Sequence, residues 1–463
     1  MLRLVTPDGR FGRREFLRVG GLALGGLTLP GVLTDASLAA ASRLTTGKSV
    51  VFLFLHGGPS QIETFDPKMT APLGIRSATG EVATRIPGVT FGGTFPKLAA
   101  MADRLTVVRS FSTGDGNHDI KPVVGRDSGG ANLGTLYSRV VGTNHPVTGM
   151  PTNAALFPQA VDPEREPAQK SFGNFESTGG LGAAYAPFVP GAAGDLQKDM
   201  QLAIAADRLG DRRALLSELD RVRFALDVPG RGDGLDRIRE QAFGTIVGGV
   251  AGAFDLSKED PRTVARYDTA PLITPDQIDR KWNNYKMYVD NVKTLGKLLL
   301  LSRRLCEAGC GFVTVTTNFV WDNHADVNNT GVAEGMRYCG VPLDHAVSAF
   351  LEDLAERGLS DKILLVCCGE MGRTPRINSN GGRDHWGGLA PLLLAGGRLK
   401  MGQVIGQSTR DAGEPASEPV RIPNLVATIM HTLFDVGELR VTRGVPNEVM
   451  RAATAADPIP GLA

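Results

Sequence analysis

Cysteine is scarce in this 463-residue chain, which has five in all, too few and too scattered for a disulfide framework. Cys367 and Cys368 sit inside the apolar run Ile363–Cys368 and read as small buried hydrophobes. Cys306 and Cys310 lie near a helix end with no second ligand pair nearby, which argues against a zinc site there. An excess of charge of one sign is also missing. Lys+Arg 50 against Asp+Glu 49 leaves a formal charge of +1, and no basic stripe stands out, which argues against nucleic acid as a partner. Beyond the N-terminal segment there is no long apolar run, so no stable transmembrane span is expected in the mature chain. Internal repeats and low-complexity segments are absent too. Histidine is sparse, seven in all, so where each one falls is informative.

The N-terminus does carry a pattern. Arg13-Arg14 precedes Phe16-Leu17, an apolar Gly-rich stretch runs from Val19 to Leu33, and Ala39-Ala40-Ala41 offers a cleavage site. Charged, apolar, then small is the order of a cleaved export signal, and the paired arginines give it a twin-arginine address. The stretch is too short and too glycine-rich for a membrane span of about 20 apolar residues. The expectation is a signal over residues 1–41, engagement of the twin-arginine translocase, and a periplasmic, secreted or cell-surface product. That route carries folded proteins, so a metal can be loaded before export.

Residues 42–463 read as one large α/β domain. Ser49–Leu55, Leu105–Val108, Gly311–Thr317, Lys362–Cys368 and Pro391–Ala395 are short apolar runs of the kind found in buried parallel strands. Amphipathic helices are predicted over Met287–Ala308, Leu343–Arg357 and Ile422–Phe434. Helix alternating with strand predicts a mostly parallel sheet sandwiched between helices. From about 146 to 272 the composition turns rich in Gly and Pro, then helical at Asp211–Leu226 and Leu235–Val250. This stretch reads as a cap inserted over the sheet.

In an open α/β sheet, ligands bind beyond the carboxyl ends of the strands. The first run is followed by His56-Gly57-Gly58. The second is followed by Arg109, Ser112-Thr113 and Asn117-His118-Asp119. The third leads to Trp321-Asp322-Asn323-His324 with Asp326 close behind. The fourth leads to Glu370-Met371-Gly372-Arg373 and Arg383-Asp384-His385. Asp322, His324, Glu370 and His385 supply mixed oxygen and nitrogen donors, which suit zinc or manganese better than calcium or magnesium. His56 is either a further ligand or a strand-end cap. His118 is either a ligand or a residue facing substrate. Asp384 stands behind the ligands, orienting His385 or pairing with Arg383. Arg373 or Arg109 offers a planar fork for an anionic group. His145, His345 and His431 read as structural.

These segments also carry a resemblance. His56-Gly-Gly-Pro-Ser, Thr64-Phe-Asp-Pro-Lys, Asn117-His118-Asp119, Leu181–Phe188, Phe254-Asp-Leu-Ser-Lys-Glu259, Trp321–His324, Gly369–Pro375 and Gly382–Trp386 follow one another as in domain of unknown function 1501. That family lies within the alkaline-phosphatase and sulfatase-like superfamily. The resemblance implies a site with one or two divalent ions. It implies a nucleophile on the Ser112-Thr113 turn, Thr113 before Ser112, and ligands at Asp322, His324 and His385, with Asp326 assisting. Glu370 falls where the superfamily has the Asp of an Asp-His pair, Met371 replaces the His, and His56 stands where an Asp is common. No Cys-x-Pro-x-Arg motif is present, which argues against a formylglycine sulfatase. The implied function is an exported metal-dependent hydrolase of phosphate or sulfate esters, acting on a small-molecule or polysaccharide substrate. The alternative is a non-catalytic member that binds an anionic extracellular ligand such as a sulfated polysaccharide.

Overall fold

Ser49–Phe54 (β1) is buried on both faces, and its alternation shows how the sheet is covered. Val51 and Leu53 point to one side; Val50, Phe52 and Phe54 point to the other. A computed structural model describes residues 43–191 and 250–462. The export segment, and the helices expected at Asp211–Leu226 and at Leu235–Val250 apart from Val250 itself, lie outside the described residues.

The central sheet has seven strands. After β1 come Thr106–Val108 (β2), Asn153–Leu156 (β3), Phe312–Val315 (β4), Ile363–Cys368 (β5), Leu392–Gly396 (β6) and Gln403–Ile405 (β7). Their order across the sheet is β7-β2-β6-β5-β1-β4-β3. All run parallel except β6, which is antiparallel to both β2 and β5. Val50 pairs with Phe312 on one side and Leu364 on the other, so β1 is central.

One face is covered by the helices Pro96–Ala100 (α1), Tyr285–Glu307 (α3) and Val332–Glu356 (α4). Leu133–Val141 (α2), Ile422–Leu433 (α5) and Asn447–Thr454 (α6) cover the other. Leu295, Leu298 and Leu299 of α3 pack with Leu343, Val347 and Phe350 of α4 beneath Leu53 and Leu365. Leu425, Ile429 and Leu433 of α5 do the same beneath Phe52 and Val366. Each fully buried Leu, Val or Phe contributes about 1.5–3 kcal/mol. The chain is thus mixed α/β with a large central sheet, helices on both faces.

Three details differ from the sequence expectation. The stretch read as a cap from about 146 supplies β3, an edge strand of the main sheet. The short edge strand β7 also went unread. The fourth-run helix begins at Val332, not Leu343, and runs through Pro342. Proline deprives the carbonyl four residues back of its helical donor. That carbonyl, of Tyr338, instead accepts from Asn291 Nδ2 at 2.8 Å. Among the described residues no helix is long and apolar enough to cross a membrane, and the five cysteines are all free and buried.

Candidate metal centre

The loops after β1, β2, β4 and β5 meet beyond the carboxyl ends of those strands. Gly57 makes the first approach. It has φ +113°, and a Cβ there would lie 2.7 Å from the Asp322 backbone nitrogen. The His56 carbonyl accepts from the amides of Val320 and Trp321, tying the β4 loop to β1. Further along that loop, Asp326 Oδ1 accepts from the amides of Asn328 and Asn329. That turn presents Asn329 Nδ2 to Asp322 Oδ2 at 3.0 Å and so fixes the carboxylate. The β5 loop returns as a short ladder pairing His385 with Arg373. The turn after β2 docks on the same ladder, where the Gly114 amide and the Ser112 hydroxyl both donate to the Gly387 carbonyl. A side chain at 387 would meet the Asp115 backbone at 2.4 Å, so glycine is required for that approach.

These loops bring together His118, Asp322, His324 and His385, with one donor atom from each, all within 4.8 Å of one another. Asp322 Oδ1 is the hub, 2.8 Å from His324 Nε2 and 3.4 Å from both His118 Nε2 and His385 Nε2. The Nε2 atoms of His324 and His385 are 2.7 Å apart. Behind two of the rings stands a carboxylate. His118 Nδ1 donates to Glu370 Oε1 at 3.0 Å, and His324 Nδ1 faces Asp384 Oδ1 at 3.4 Å. A carboxylate on Nδ1 turns the Nε2 lone pair towards the centre.

The electrostatics follow from that geometry. Burial opposes the ionised form of Asp322, but the three imidazoles and Arg373 outweigh it and hold the carboxyl far below its usual range. Burial also opposes a charge on His118, yet the adjacent Asp322 and Glu370 carboxylates raise its pKa. His385 gains from its bond to Asp322, but burial, Arg373 and the neighbouring imidazoles bring it below the usual histidine value.

The donor set fits a divalent ion. Three imidazole nitrogens and a carboxylate oxygen are borderline ligands of the zinc and manganese kind. Two donors on a tetrahedral ion with bonds near 2.1 Å stand roughly 3.4 Å apart, as Asp322 does from His118 and His385. His324 sits closer and would withdraw slightly. His118 Nε2 is buried and makes no hydrogen bond, as expected of an atom shaped for a cation. Among the described residues this is the one such group.

Several residues expected at the site are placed elsewhere. Glu370, read as a ligand, is one hydrogen bond behind His118 and also accepts from the Gly57 amide. His56, also read as a ligand, lies outside the cluster, its ring boxed by Phe54, Phe172, Phe175 and Phe319. Burial pushes its pKa down to about 4, so the ring is neutral. Asp384 faces His324, and neither His385 nor Arg383; Arg383 is buried against Glu63. Arg373 is not an open anion fork. Its Nε donates to Gly58 O, and its Nη2 to Gly57 O and to Asp322 Oδ1 at 2.5 Å. Arg109 is spent on the carbonyls of Phe65 and Thr90 and on Asp66. Asp326 shapes its own loop, and Asp119 pairs with Lys121. On the turn expected to carry a nucleophile, Ser112 has committed its hydroxyl to Gly387, whereas Thr113 Oγ1 is buried without a partner. Met371 is fully buried. The sequence reading missed Asn329, which has no motif to mark it, and Trp386, which stands in a quoted motif beside His385.

A family model described as a protein of unknown function (DUF1501) matches residues 47–457. The chain belongs to this family. Among curated proteins, none matches the sequence. Solved structures similar to this DUF1501 chain include the PsFucS1 sulfatase from Pseudoalteromonas sp., 11% identical, covering 93% of this chain and 77% of that one, TM-score 0.37. Ps i-CgsB in complex with k-i-k-neocarrahexaose is 9% identical over 83% and 71%, TM-score 0.34. The lipoteichoic acid synthase LtaP from Listeria monocytogenes is 7% identical over 90% and 81%, TM-score 0.29. Likenesses of this size assign neither activity nor substrate.

Proposed function

We propose that this DUF1501 protein is a metal-dependent hydrolase of phosphate or sulfate esters, built on an alkaline-phosphatase-like sheet and exported by the twin-arginine route. The observation that carries the reading is the convergence of His118, Asp322, His324 and His385 beyond the carboxyl ends of parallel strands. The motif resemblance supports the reaction class. A divalent ion held there would polarise an ester oxygen and lower the pKa of the attacking hydroxyl or water.

The chain's own residues prepare that chemistry. Glu370 and Asp384 hold two imidazoles with Nε2 facing inward. Asn329 and Arg373 hold the Asp322 carboxylate from two sides. Phe172 and Phe319 stack beside His118 and keep water from that side. Thr113 is the proposed nucleophile, because its hydroxyl is unspent while that of Ser112 is not.

A second reading has its own observation. Arg373 already neutralises Asp322 at 2.5 Å, and Met371 is packed in the core where a further ligand would stand. Such a site suits a member that binds an anionic ligand without turnover. A panel of phosphate monoesters, phosphate diesters and aryl sulfates, assayed with zinc or manganese, separates the two. The hydrolase reading expects turnover in the wild type and its loss in Asp322→Asn and Thr113→Val with the fold intact. Metal-loaded protein that turns over none of the panel supports the binder.

A further inference from the structure

The cluster is bordered by an aromatic pair and by a groove. Phe172 and Phe319 lie 4.5 Å apart, stacked, and both pack against the rings of His56 and His118. His385, whose ring borders those of His118 and His324, also lines a groove of about 580 Å³. A substrate whose reacting group lies at the cluster can extend its remaining half along this groove.

The lining specifies what that half is. Trp386, next to His385 in sequence, is half-buried, and its indole is anchored by Nε1 donating to Gly413 O at 2.6 Å. An immobilised indole offers a flat apolar face with little further entropy to lose. Beyond it the wall is polar. Asp115 is fixed through Oδ1 by Lys121 and by the Asn117 amide. Glu414 and Arg421 are exposed along the same groove, and neither makes an ion pair among the described residues. An acyl or aryl tail would bury these charged groups without giving them partners, which is unfavourable. A dense polyanion would meet two carboxylates for one guanidinium. A sugar has what the groove lacks: an apolar C–H face for the indole and hydroxyls for the carboxylates.

We propose that this groove is a glycan subsite, so that the substrate is an oligosaccharide carrying an anionic ester. The pyranose next to the ester stacks on Trp386, its hydroxyls donate to Asp115 and Glu414, and Arg421 pairs with an anionic substituent on the adjoining sugar. This rests on the cluster being where the ester is held, and it names the alcohol half of that ester.

The test is calorimetric titration of the full-length metal-loaded protein with oligosaccharides of sulfated galactan, sulfated fucan, chondroitin sulfate and phosphomannan. The desulfated or dephosphorylated counterpart of each is titrated alongside. Binding of at least one member is expected, weakened tenfold or more in Trp386→Ala and a few-fold in Trp386→Phe. Arg421→Gln should weaken the anionic glycan but not its neutral counterpart. Metal content should match the wild type in all three variants. Trp386→Phe and Arg421→Gln keep the proposal open to refutation even if Trp386→Ala fails to fold, because Phe keeps a ring and Arg421 is exposed. Binding of no glycan in the panel, or equal binding by Trp386→Phe and Arg421→Gln, overturns the subsite. Failure of the hydrolase reading shows differently, as glycan binding without cleavage of any glycan ester or simple aryl ester. Cleavage of aryl esters without glycan binding removes the subsite and leaves the hydrolase.

Discussion

Among the described residues, two clusters of charged and polar side chains are satisfied in opposite ways. Under α3 and α4, Arg303 is fully enclosed. Its Nε donates to Asp353 at 2.8 Å, its Nη1 to Glu307 at 2.6 Å and its Nη2 to Glu259 at 2.7 Å. Arg304, Arg357, Arg266 and the Tyr267 hydroxyl complete the acids from the other side. All three guanidinium nitrogens of Arg303 meet a carboxylate. In the His118–Asp322–His324–His385 cluster, acceptors face acceptors, and Arg373 is the one permanent cation in contact. The first arrangement needs nothing more to be stable. The second is complete only with added positive charge, which protons or a metal can supply. Burial of polar groups alone does not mark a functional site; the mismatch does. Glu259, the last residue of the quoted Phe254–Glu259 motif, belongs to the first kind: a structural clamp.

The contrast can be broken at either end. Arg303→Met leaves Asp353 and Glu259 buried with a missing partner and should cost about 3–5 kcal/mol of stability. Urea unfolding measures this, and metal content per folded molecule should not change. His385→Ala should do the reverse. It removes a half-exposed ring, so the unfolding free energy of the metal-free protein should move by less than about 1 kcal/mol. Metal affinity should fall by more than about 100-fold, beyond what an outer-shell change does. Unchanged metal with a clearly lowered melting temperature would make His385 a structural residue.

Glu370→Gln sharpens the comparison by a smaller step. It weakens the hold on His118 Nδ1 and should lower metal affinity by about 10–100-fold, read by competition with a chromogenic chelator. The smallest effect is a pH dependence whose sign differs between the two states. The raised pKa of His118 stabilises the metal-free fold below about pH 6.5, and that contribution is lost as pH rises through the folded value. Metal binding must displace that proton, so affinity rises over the same range. The gap in melting temperature between metal-loaded and metal-free protein should therefore widen with pH. A constant gap would mean that no imidazole proton is released on binding.

The strands that were legible in the sequence are those buried on both faces. β1, β4 and β5 announce themselves as apolar runs because, Ser49 at the start of β1 apart, every residue in them is buried. β3 did not, since Asn153-Ala-Ala-Leu has little β-propensity and is held as an edge by pairing with β4. The rule that ligands gather at strand ends singled out Asp322, His324 and His385 as ligand candidates, and His118 as either a ligand or a residue facing substrate. It could not say which acid stands behind which ring. Asp384 adjoins His385 in sequence yet stands behind His324, reaching its Nδ1 while His385 reaches its Nε2. Glu370 reaches His118 from a different loop, a contact no spacing encodes. Arg109 and Asp326 had the right chemistry in the right segments, but local carbonyls and amides had already claimed them.

The most direct test of the account is metal stoichiometry. The wild-type protein, stripped of metal and titrated with zinc and with manganese, should take up one tightly bound ion per chain. Asp322→Asn should take up none while keeping its far-ultraviolet circular dichroism. A folded wild type that binds neither ion stoichiometrically, or an Asp322→Asn protein that binds as tightly as the wild type, would contradict the metal centre.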